Sequence, residues 1–173
     1  MTVRSEIRRA RTDESAAVAG LIEQAAAAYR GVIPSDCWHE PYMPLEELLR
    51  EIEADVRFWV IEQGGRIVAA MGLQRVSDVA LIRHAYVLPA QQGRGHGGAL
   101  LEHLRELSEE PILVGTWRAA AWAVRFYRRH GFTLLDTIEA DRLLRRYWSV
   151  PPRQREASVV LADERWTALH REI

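Results

Sequence analysis

The sequence predicts an α/β fold in which a mixed sheet is covered by helices. Three strand-like stretches follow one another at 56–61, 67–76 and 79–88, and strands then alternate with helices. Successive strands favour antiparallel pairs, whereas alternation with helices favours parallel ones. The 173 residues show no linker and no internal repeat. That length suits one domain, so we expect a single domain over residues 1–173.

Composition excludes several classes of function. The net charge is −1, which disfavours a nucleic-acid partner, and all 23 basic residues are arginines, which excludes lysine chemistry. Cys37 is the only cysteine, so no intrachain disulfide or cysteine-based zinc site is expected, and we predict no metal. Residues 1–9 do not resemble a signal peptide, and no apolar run could span a membrane. We therefore expect a cytoplasmic protein without a membrane partner.

The first half of the chain begins with a short strand at 7–10 and a helix from Glu14 to Tyr29 that Gly31 ends. A loop at 31–43 is rich in proline and aromatic residues, and loops often carry binding residues. A helix at 44–52 precedes the three strands, of which the first two are joined by a turn at 63–65.

In the second half of the chain, helices alternate with strands. A helix at 99–107 and a strand at 112–116 are followed by a helix at 119–130, which Gly131 ends, and by a strand at 132–136. An Asp136–Glu139 capping box then opens a short helix, Pro151–Pro152 breaks the chain, and a strand at 157–161 precedes a tail segment at 166–173. The element order is therefore β-α-α-β-β-β-α-β-α-β-β.

A glycine-rich loop stands between the strand at 79–88 and the helix at 99–107. It contains four glycines in six residues: Gly93, Gly95, Gly97 and Gly98. Glycines let backbone N–H groups approach a ligand closely, and a helix N-terminus adds unpaired N–H groups and a positive dipole end. The loop therefore predicts a site for a phosphate or pyrophosphate.

Two other interpretations of this loop are weaker. Gly93, Gly95 and Gly98 match the dinucleotide-binding pattern G-x-G-x-x-G, but that pattern also needs an acidic residue about 20 positions on. Residues 114–118 read VGTWR and supply none. A purely steric turn would not require four glycines.

Two motifs carry a family resemblance. Gln92-x-x-Gly95-x-Gly97, preceded by Val87-Leu88-Pro89, resembles the Q/R-x-x-G-x-G/A loop of the GNAT (GCN5-related) N-acetyltransferases. The stretch from Ala123 to Phe132 (AVRFYRRHGF) is similar to a helix end of the same family. The resemblance covers about residues 5–162. It implies a GNAT-like fold, with a central, mostly antiparallel sheet flanked by helices, acetyl-CoA as co-substrate, and compatibility with a homodimer.

The resemblance also implies roles for individual residues. The backbone N–H of Val87 would polarise the thioester carbonyl. The residues expected to bind the co-substrate are Val87, Leu88, Gln92, Gly93, Arg94, Gly95, His96, Gly97 and Gly98. One position departs from the family, because Ala120 stands where an asparagine is common, and any pantetheine contact by that side chain is lost.

Acetyl transfer to an amine needs a proton donor for the departing thiolate and a proton acceptor for the amine. Tyr127 is the candidate acid, since a phenol is protonated at neutral pH; its alternative role is a core aromatic. His84, which strand alternation places on one face with Ile82 and Tyr86, is the candidate base. Glu40, His39 or no protein base are the alternatives.

Substrate contacts are expected from two segments, 31–43 and 137–157. The candidates are Trp38, Glu40, Tyr42 and Arg146. The arginines of the second segment either form a solvated helix face or hold a substrate carboxylate. We thus predict an N-acetyltransferase acting on the primary amine of a small molecule, of amino-acid-like or acidic character if an arginine holds it. The alternatives are a non-catalytic acyl-CoA-binding module and a protein N-acetyltransferase.

Overall fold

The computed structural model describes residues 6–171 and contains a mixed sheet flanked by helices, as predicted. Over these residues the sheet has seven strands in the order β1-β2-β3-β4-β5-β7-β6. The strands are β1 Glu6–Arg9, β2 Arg57–Gln63, β3 Arg66–Val76, β4 Val79–Val87, β5 Ile112–Trp117, β6 Thr133–Leu134 and β7 Ser158–Ala162. β4 and β5 pair in parallel, and β1–β2, β2–β3, β5–β7 and β6–β7 are antiparallel.

The helices follow the predicted order, with differences at α3 and α6. They are α1 Ser15–Ala26, α2 Leu45–Glu53, α3 His96–Leu107, α4 Ala121–Arg129, α5 Thr137–Tyr147, α6 Pro152–Glu156 and α7 Glu164–Leu169. α3 begins three residues before the predicted start. α6 begins with Pro152, where a break was predicted, because proline suits the first turn of a helix. β6 has two residues instead of the predicted five.

The described residues fall into two compact units. The first consists of Met1–Ala28, described from Glu6, together with His39–Gln74 and Arg83–Leu107. The second consists of Tyr29–Trp38, Arg75–Ile82 and Ser108–Ile173, described to Arg171. The single domain over residues 1–173 stays a prediction.

In the first unit, apolar faces of α1 and α3 are buried with the inner residues of β2 and β3. The predicted turn between β2 and β3 is confirmed: Gln63 pairs with Arg66, and Gly64 and Gly65 have φ values of 57° and 78°. Two successive positive φ angles are typical of the tight turns that match the twist of a hairpin.

β4 is irregular at His84. This residue has a φ of 53°, in the left-handed region that non-glycine residues rarely adopt. Such a residue inside a strand interrupts the alternation of side chains, as in a β-bulge. The prediction that His84 shares a face with Ile82 and Tyr86 assumed regular alternation, which does not hold here.

In the second unit, β5 and β7 form the core with α5 and α7. Leu113, Val160, Leu143 and Trp166 are all buried in it. The Asp136 half of the predicted capping box is confirmed, since the Asp136 side chain accepts a hydrogen bond from the Glu139 backbone at 2.9 Å. The Glu139 side chain accepts hydrogen bonds from Arg142. Asp163 caps α7 in the same way at 3.0 Å. The predicted tail is thus partly a docked helix.

As for membranes, none of the helices within residues 6–171 combines the length and the apolar character that a crossing requires.

Candidate active site

The glycine loop of the first unit adopts a conformation that only glycine takes readily. Gly93 and Gly95 have φ values of 78° and 83°, and a Cβ at either position would meet nothing within 4 Å. The two glycines are therefore required by the backbone conformation and not by a shortage of space.

The start of α3 provides the amide groups of the predicted anion site. The first helical hydrogen bond runs from the Ala99 N–H to the Gly95 carbonyl oxygen at 3.0 Å. The amides of His96, Gly97 and Gly98 precede it, and amides in a first turn have no acceptor within their helix. Their N–H groups and the helix dipole suit a phosphate oxygen. The predicted start at Ala99 was wrong, and the earlier start brings two glycines into this first turn.

The His96 side chain takes no part in that surface, because it is only 7% exposed. Its Nε2 is buried and has no hydrogen-bond partner among residues 6–171. Only the backbone of His96 is therefore suited to the predicted co-substrate contact. Apart from the helical spacing of His96 with Leu100, no sequence signal indicated this burial.

The end of β4 leads into the loop. The Leu88 N–H donates to the Val68 carbonyl at 2.9 Å, and the Leu88 carbonyl accepts from Gln91 at 2.8 Å. Since successive amides of a strand point to opposite sides, the Val87 N–H points away from β3. The parallel pairing of β4 covers only Ala80 to Ile82. The predicted role of the Val87 amide fits this arrangement, whereas both backbone groups of Leu88 are used within the protein.

His84 lies in a network of polar side chains within the first unit. Its Nε2 is 2.5 Å from Oε2 of Glu51, and its ring stacks on Phe58 with centroids 6.2 Å apart. The other carboxylate oxygen of Glu51 accepts from Arg83 at 2.6 Å. Arg83 also donates to Gln74 at 2.8 Å. Both oxygens of Glu51 are therefore engaged.

Burial by itself would raise the pKa of Glu51, but the hydrogen bond from His84 and the charges of His84 and Arg83 outweigh it and lower this pKa. Glu51 is thus a carboxylate at neutral pH. The sequence did not reveal this residue, because Glu51 and His84 are 33 positions apart and nothing local marks the contact.

In the second unit, Tyr127 lies on α4 and is buried. Its ring makes edge contacts with Phe126 and Phe132 at centroid distances of 5.1 and 5.7 Å. Burial, with a smaller effect from Tyr29, raises the pKa of Tyr127 well above its usual value. The phenol is therefore protonated at neutral pH, which suits a proton donor and a core aromatic equally.

The segment 31–43 is divided between the units. In the second, Arg30 lies 5.6 Å over the Trp38 ring, and a short turn at Ser35–Cys37 leaves Cys37 partly exposed. In the first, His39 stacks on Tyr42 and its Nδ1 is 2.9 Å from the Pro41 carbonyl, while Glu40 is exposed. Of the three candidate bases, His84 is the one whose ring contacts a half-buried carboxylate, that of Glu51.

Most arginines of the segment 137–157 pair with carboxylates. Arg142 pairs with Glu139, Arg145 and Arg155 pair with Asp141, and Arg153 pairs with Asp36 at distances of 2.5 to 3.1 Å. Arg146 has a looser contact, 3.9 Å from Asp78, and lies over the Tyr147 ring. These pairs favour the solvated helix face for most of the segment. Arg146 is left as the best placed of these arginines for an anion.

Within residues 6–171, no group of three or more histidine, cysteine, aspartate or glutamate side chains is arranged to hold a metal ion.

Comparisons with known proteins agree with this fold. A family model described as an acetyltransferase (GNAT) domain matches residues 54–134. The chain is 30% identical over 141 residues to the amino-acid acetyltransferase of Mycobacterium tuberculosis, covering 77% of this chain and 71% of that protein.

Solved structures show the same fold. The PaiA N-acetyltransferase of Thermoplasma acidophilum, in complex with coenzyme A, has a TM-score of 0.69 at 16% identity, over 91% of this chain and 97% of that one. N-acetylglutamate synthase of Neisseria gonorrhoeae, with coenzyme A and N-acetyl-glutamate, has a TM-score of 0.62 at 19% identity, over 94% of this chain and 35% of that one.

The fold and the matches to the family model and to known proteins together show that the protein is an acetyltransferase. The chain belongs to the GNAT family and is an N-acetyltransferase.

Proposed function

We propose that the protein transfers an acetyl group from acetyl-CoA to the primary amine of a small molecule of amino-acid-like or acidic character. The observation that carries the proposal is the loop at 92–98, in which the conformations of Gly93 and Gly95 and the first amides of α3 form an anion site. The pyrophosphate of coenzyme A is the anion that an acetyltransferase would bind there. The structures of the Thermoplasma and Neisseria relatives contain coenzyme A, which supports this assignment.

Different groups of the loop and of the end of β4 would contact different parts of acetyl-CoA. The backbone amides from Gln92 to Gly98 would hold the pyrophosphate, and the exposed Arg94 side chain would add a positive charge beside it. The Val87 N–H, which points away from β3, would donate to the thioester carbonyl oxygen as it gains negative charge. Binding energy from the remote phosphates would then serve to position the reacting carbon.

His84 and Tyr127 would move the protons. His84 takes the proton of the attacking amine, and the new N–C bond forms as the C–S bond breaks with its electron pair on sulfur. Tyr127 donates its phenolic proton to that sulfur. The burial that raises the pKa of Tyr127 keeps its phenol protonated at neutral pH, so the proton is present when the C–S bond breaks.

The class of acceptor is supported by the relatives. The Mycobacterium protein is named an amino-acid acetyltransferase, and the Neisseria enzyme was solved with N-acetyl-glutamate. An amino-acid acceptor carries a carboxylate, for which Arg146 is our candidate partner; Trp38, Glu40 and Tyr42 stay the other candidate substrate residues. Arg146→Ala is expected to raise KM for acidic amines about 10-fold. Arg153→Ala is the matched control, because Asp36 already engages Arg153 at 2.7 Å.

The decisive test is an acceptor panel. The protein is mixed with acetyl-CoA and with amino acids, acidic amines, polyamines and short peptides, and release of free thiol is followed by a chromogenic reagent. Cys37→Ser removes the one protein thiol that would add background. Acetylation of an amino acid, identified by mass spectrometry, is the expected result. Binding of acetyl-CoA in calorimetry without thiol release for any amine would instead support an acyl-CoA-binding module.

A further inference from the structure

We propose that Glu51 is a positioning residue for the proton acceptor. Of the two tautomers of a neutral His84 side chain, it selects the one that carries its proton on Nε2, so that Nδ1 is the atom that takes the proton of the amine. This inference rests on the proposed function, because it requires His84 to act as the base.

The bond between the two side chains determines the tautomer. Oε2 of Glu51 lies 2.5 Å from Nε2 of His84, and an ionised carboxylate can only accept a hydrogen bond. Nε2 must therefore carry the hydrogen of this bond. In a neutral imidazole the lone pair then lies on Nδ1, for which no hydrogen bond is found among the described residues.

Glu51 is itself fixed from the other side. Its Oε1 accepts from Arg83 at 2.6 Å, and Arg83 also donates to the Gln74 side chain. The Gln74 amide in turn donates to the Ala54 carbonyl at 3.0 Å, at the end of α2. Side-chain exposures of 15% for His84, 18% for Glu51 and 21% for Arg83 keep these contacts largely out of water. The carboxylate is thus held between a cation and an imidazole.

The backbone turns His84 towards this carboxylate. The φ of 53° at His84 places the residue outside regular strand geometry, in a conformation that is unfavourable for a non-glycine residue. The ring then stacks on Phe58 of β2 while its Nε2 meets Glu51 of α2. The carboxylate of Glu51 contacts the ring, and Arg83 contacts the same carboxylate.

The arrangement gives Glu51 a specific task in the transfer. When Nδ1 takes the amine proton, the imidazole becomes a cation with a hydrogen on each nitrogen. The carboxylate of Glu51 stabilises that cation through the Nε2 bond that already exists. The same relation between carboxylate and imidazole orients the base in hydrolytic triads.

The test compares Glu51→Gln with Glu46→Gln, an exposed position on the same helix. A glutamine at position 51 has an amide group in place of one carboxylate oxygen. Because that amide can donate as well as accept, it fixes the tautomer of His84 less strictly. In ¹⁵N spectra of histidine-labelled protein, we expect wild type and Glu46→Gln to show the Nε2–H form of His84, and Glu51→Gln to show a mixture. We further expect kcat of Glu51→Gln to fall about 10- to 100-fold with KM for acetyl-CoA unchanged.

His84→Gln separates this inference from the proposed function. If His84→Gln is as active as wild type, His84 is not the base, and the inference is overturned together with that assignment. If His84→Gln is inactive but Glu51→Gln keeps the wild-type tautomer and kcat, the assignment of His84 as the base is retained and the role of Glu51 is overturned. Because the spectra require no turnover, the tautomer is measured even in inactive variants.

Discussion

The backbone carbonyl oxygen of Arg83 lies so close to Gly72 that a Cβ built at Gly72 would be 2.7 Å from it. The same Cβ would meet Val56 and Phe58 at 3.0 and 3.1 Å. This carbonyl group directly precedes His84, the residue at which β4 is irregular. Glycine at position 72 of β3 is therefore what allows the neighbouring strand to approach.

Gly72→Ala is expected to destabilise the protein by about 1–3 kcal/mol, because a backbone group must move to admit the methyl group. It should also lower kcat, since the shift reaches His84. Urea unfolding and steady-state kinetics measure the two effects. Gly20→Ala is the control: a Cβ at that exposed position of α1 meets nothing within 4 Å. There the substitution should stabilise by about 0.5–1 kcal/mol. Equal effects of the two substitutions would refute the role of the close approach.

Glu14 makes stability depend on pH in the acidic range. Hydrogen bonds from Arg8 at 2.7 and 2.9 Å lower the pKa of Glu14 from 4.5 to about 2 against the opposing effect of burial, and the Arg11 backbone N–H contributes. Because the folded-state pKa is lowered, the stabilisation is complete above about pH 4.5 and is lost as the pH falls through about 2.

We expect Glu14→Gln to lower the free energy of unfolding at neutral pH by about 1–3 kcal/mol. The difference from wild type should shrink as the pH falls from 4.5 to 2. Asp13→Asn, at a neighbouring residue that is 78% exposed, should change stability by less than about 0.5 kcal/mol. A difference between wild type and Glu14→Gln that is constant with pH would show that the ion pair does not stabilise the fold.

His96→Leu is expected to stabilise the protein. The buried Nε2 of His96 has no partner among the described residues, and such a group costs about 1–3 kcal/mol. Leucine fills a similar volume without a polar atom. His103→Leu, on the same helix but half-buried, serves as control and should have little effect. Thermal unfolding of the three proteins decides, and a lower melting temperature for His96→Leu would contradict the prediction.

Tyr127→Phe tests the proton donor. We expect kcat to fall about 10²- to 10⁴-fold while the Kd of acetyl-CoA is retained, because only the phenolic proton is lost. Tyr147→Phe removes another tyrosine hydroxyl, one that donates to Asp78 at 2.6 Å. It should cost about 0.5–1.5 kcal/mol of stability and leave kcat unchanged. If both variants keep full activity, Tyr127 is a core aromatic only.

The features that sequence predicted well are those encoded locally. The turn at Gly64–Gly65, the cap at Asp136, the helix end at Gly131 and the glycine loop each depend on a few neighbouring residues. Their backbone conformations follow from residue type, and the order of strands follows from the order of apolar segments. The motifs around Gly95 and Tyr127 then indicated the family.

The features that sequence missed depend on contacts between distant segments. Nothing near Glu51 marks it as the partner of His84. Regular alternation does not hold at His84, whose φ is 53° and whose preceding carbonyl group lies close to Gly72 of the adjacent strand. The pairing of Arg153 with Asp36 spans 117 positions, so its use as an ion pair could not be distinguished from a substrate contact.

Cys37 gives the protein a chemical handle. It is the one thiol of the chain, it is partly exposed, and it stands next to Trp38 in a segment expected to meet the substrate. A maleimide fluorophore would therefore attach at a single position of the unaltered protein. Its emission during a titration with candidate amines would report acceptor binding without any need for turnover.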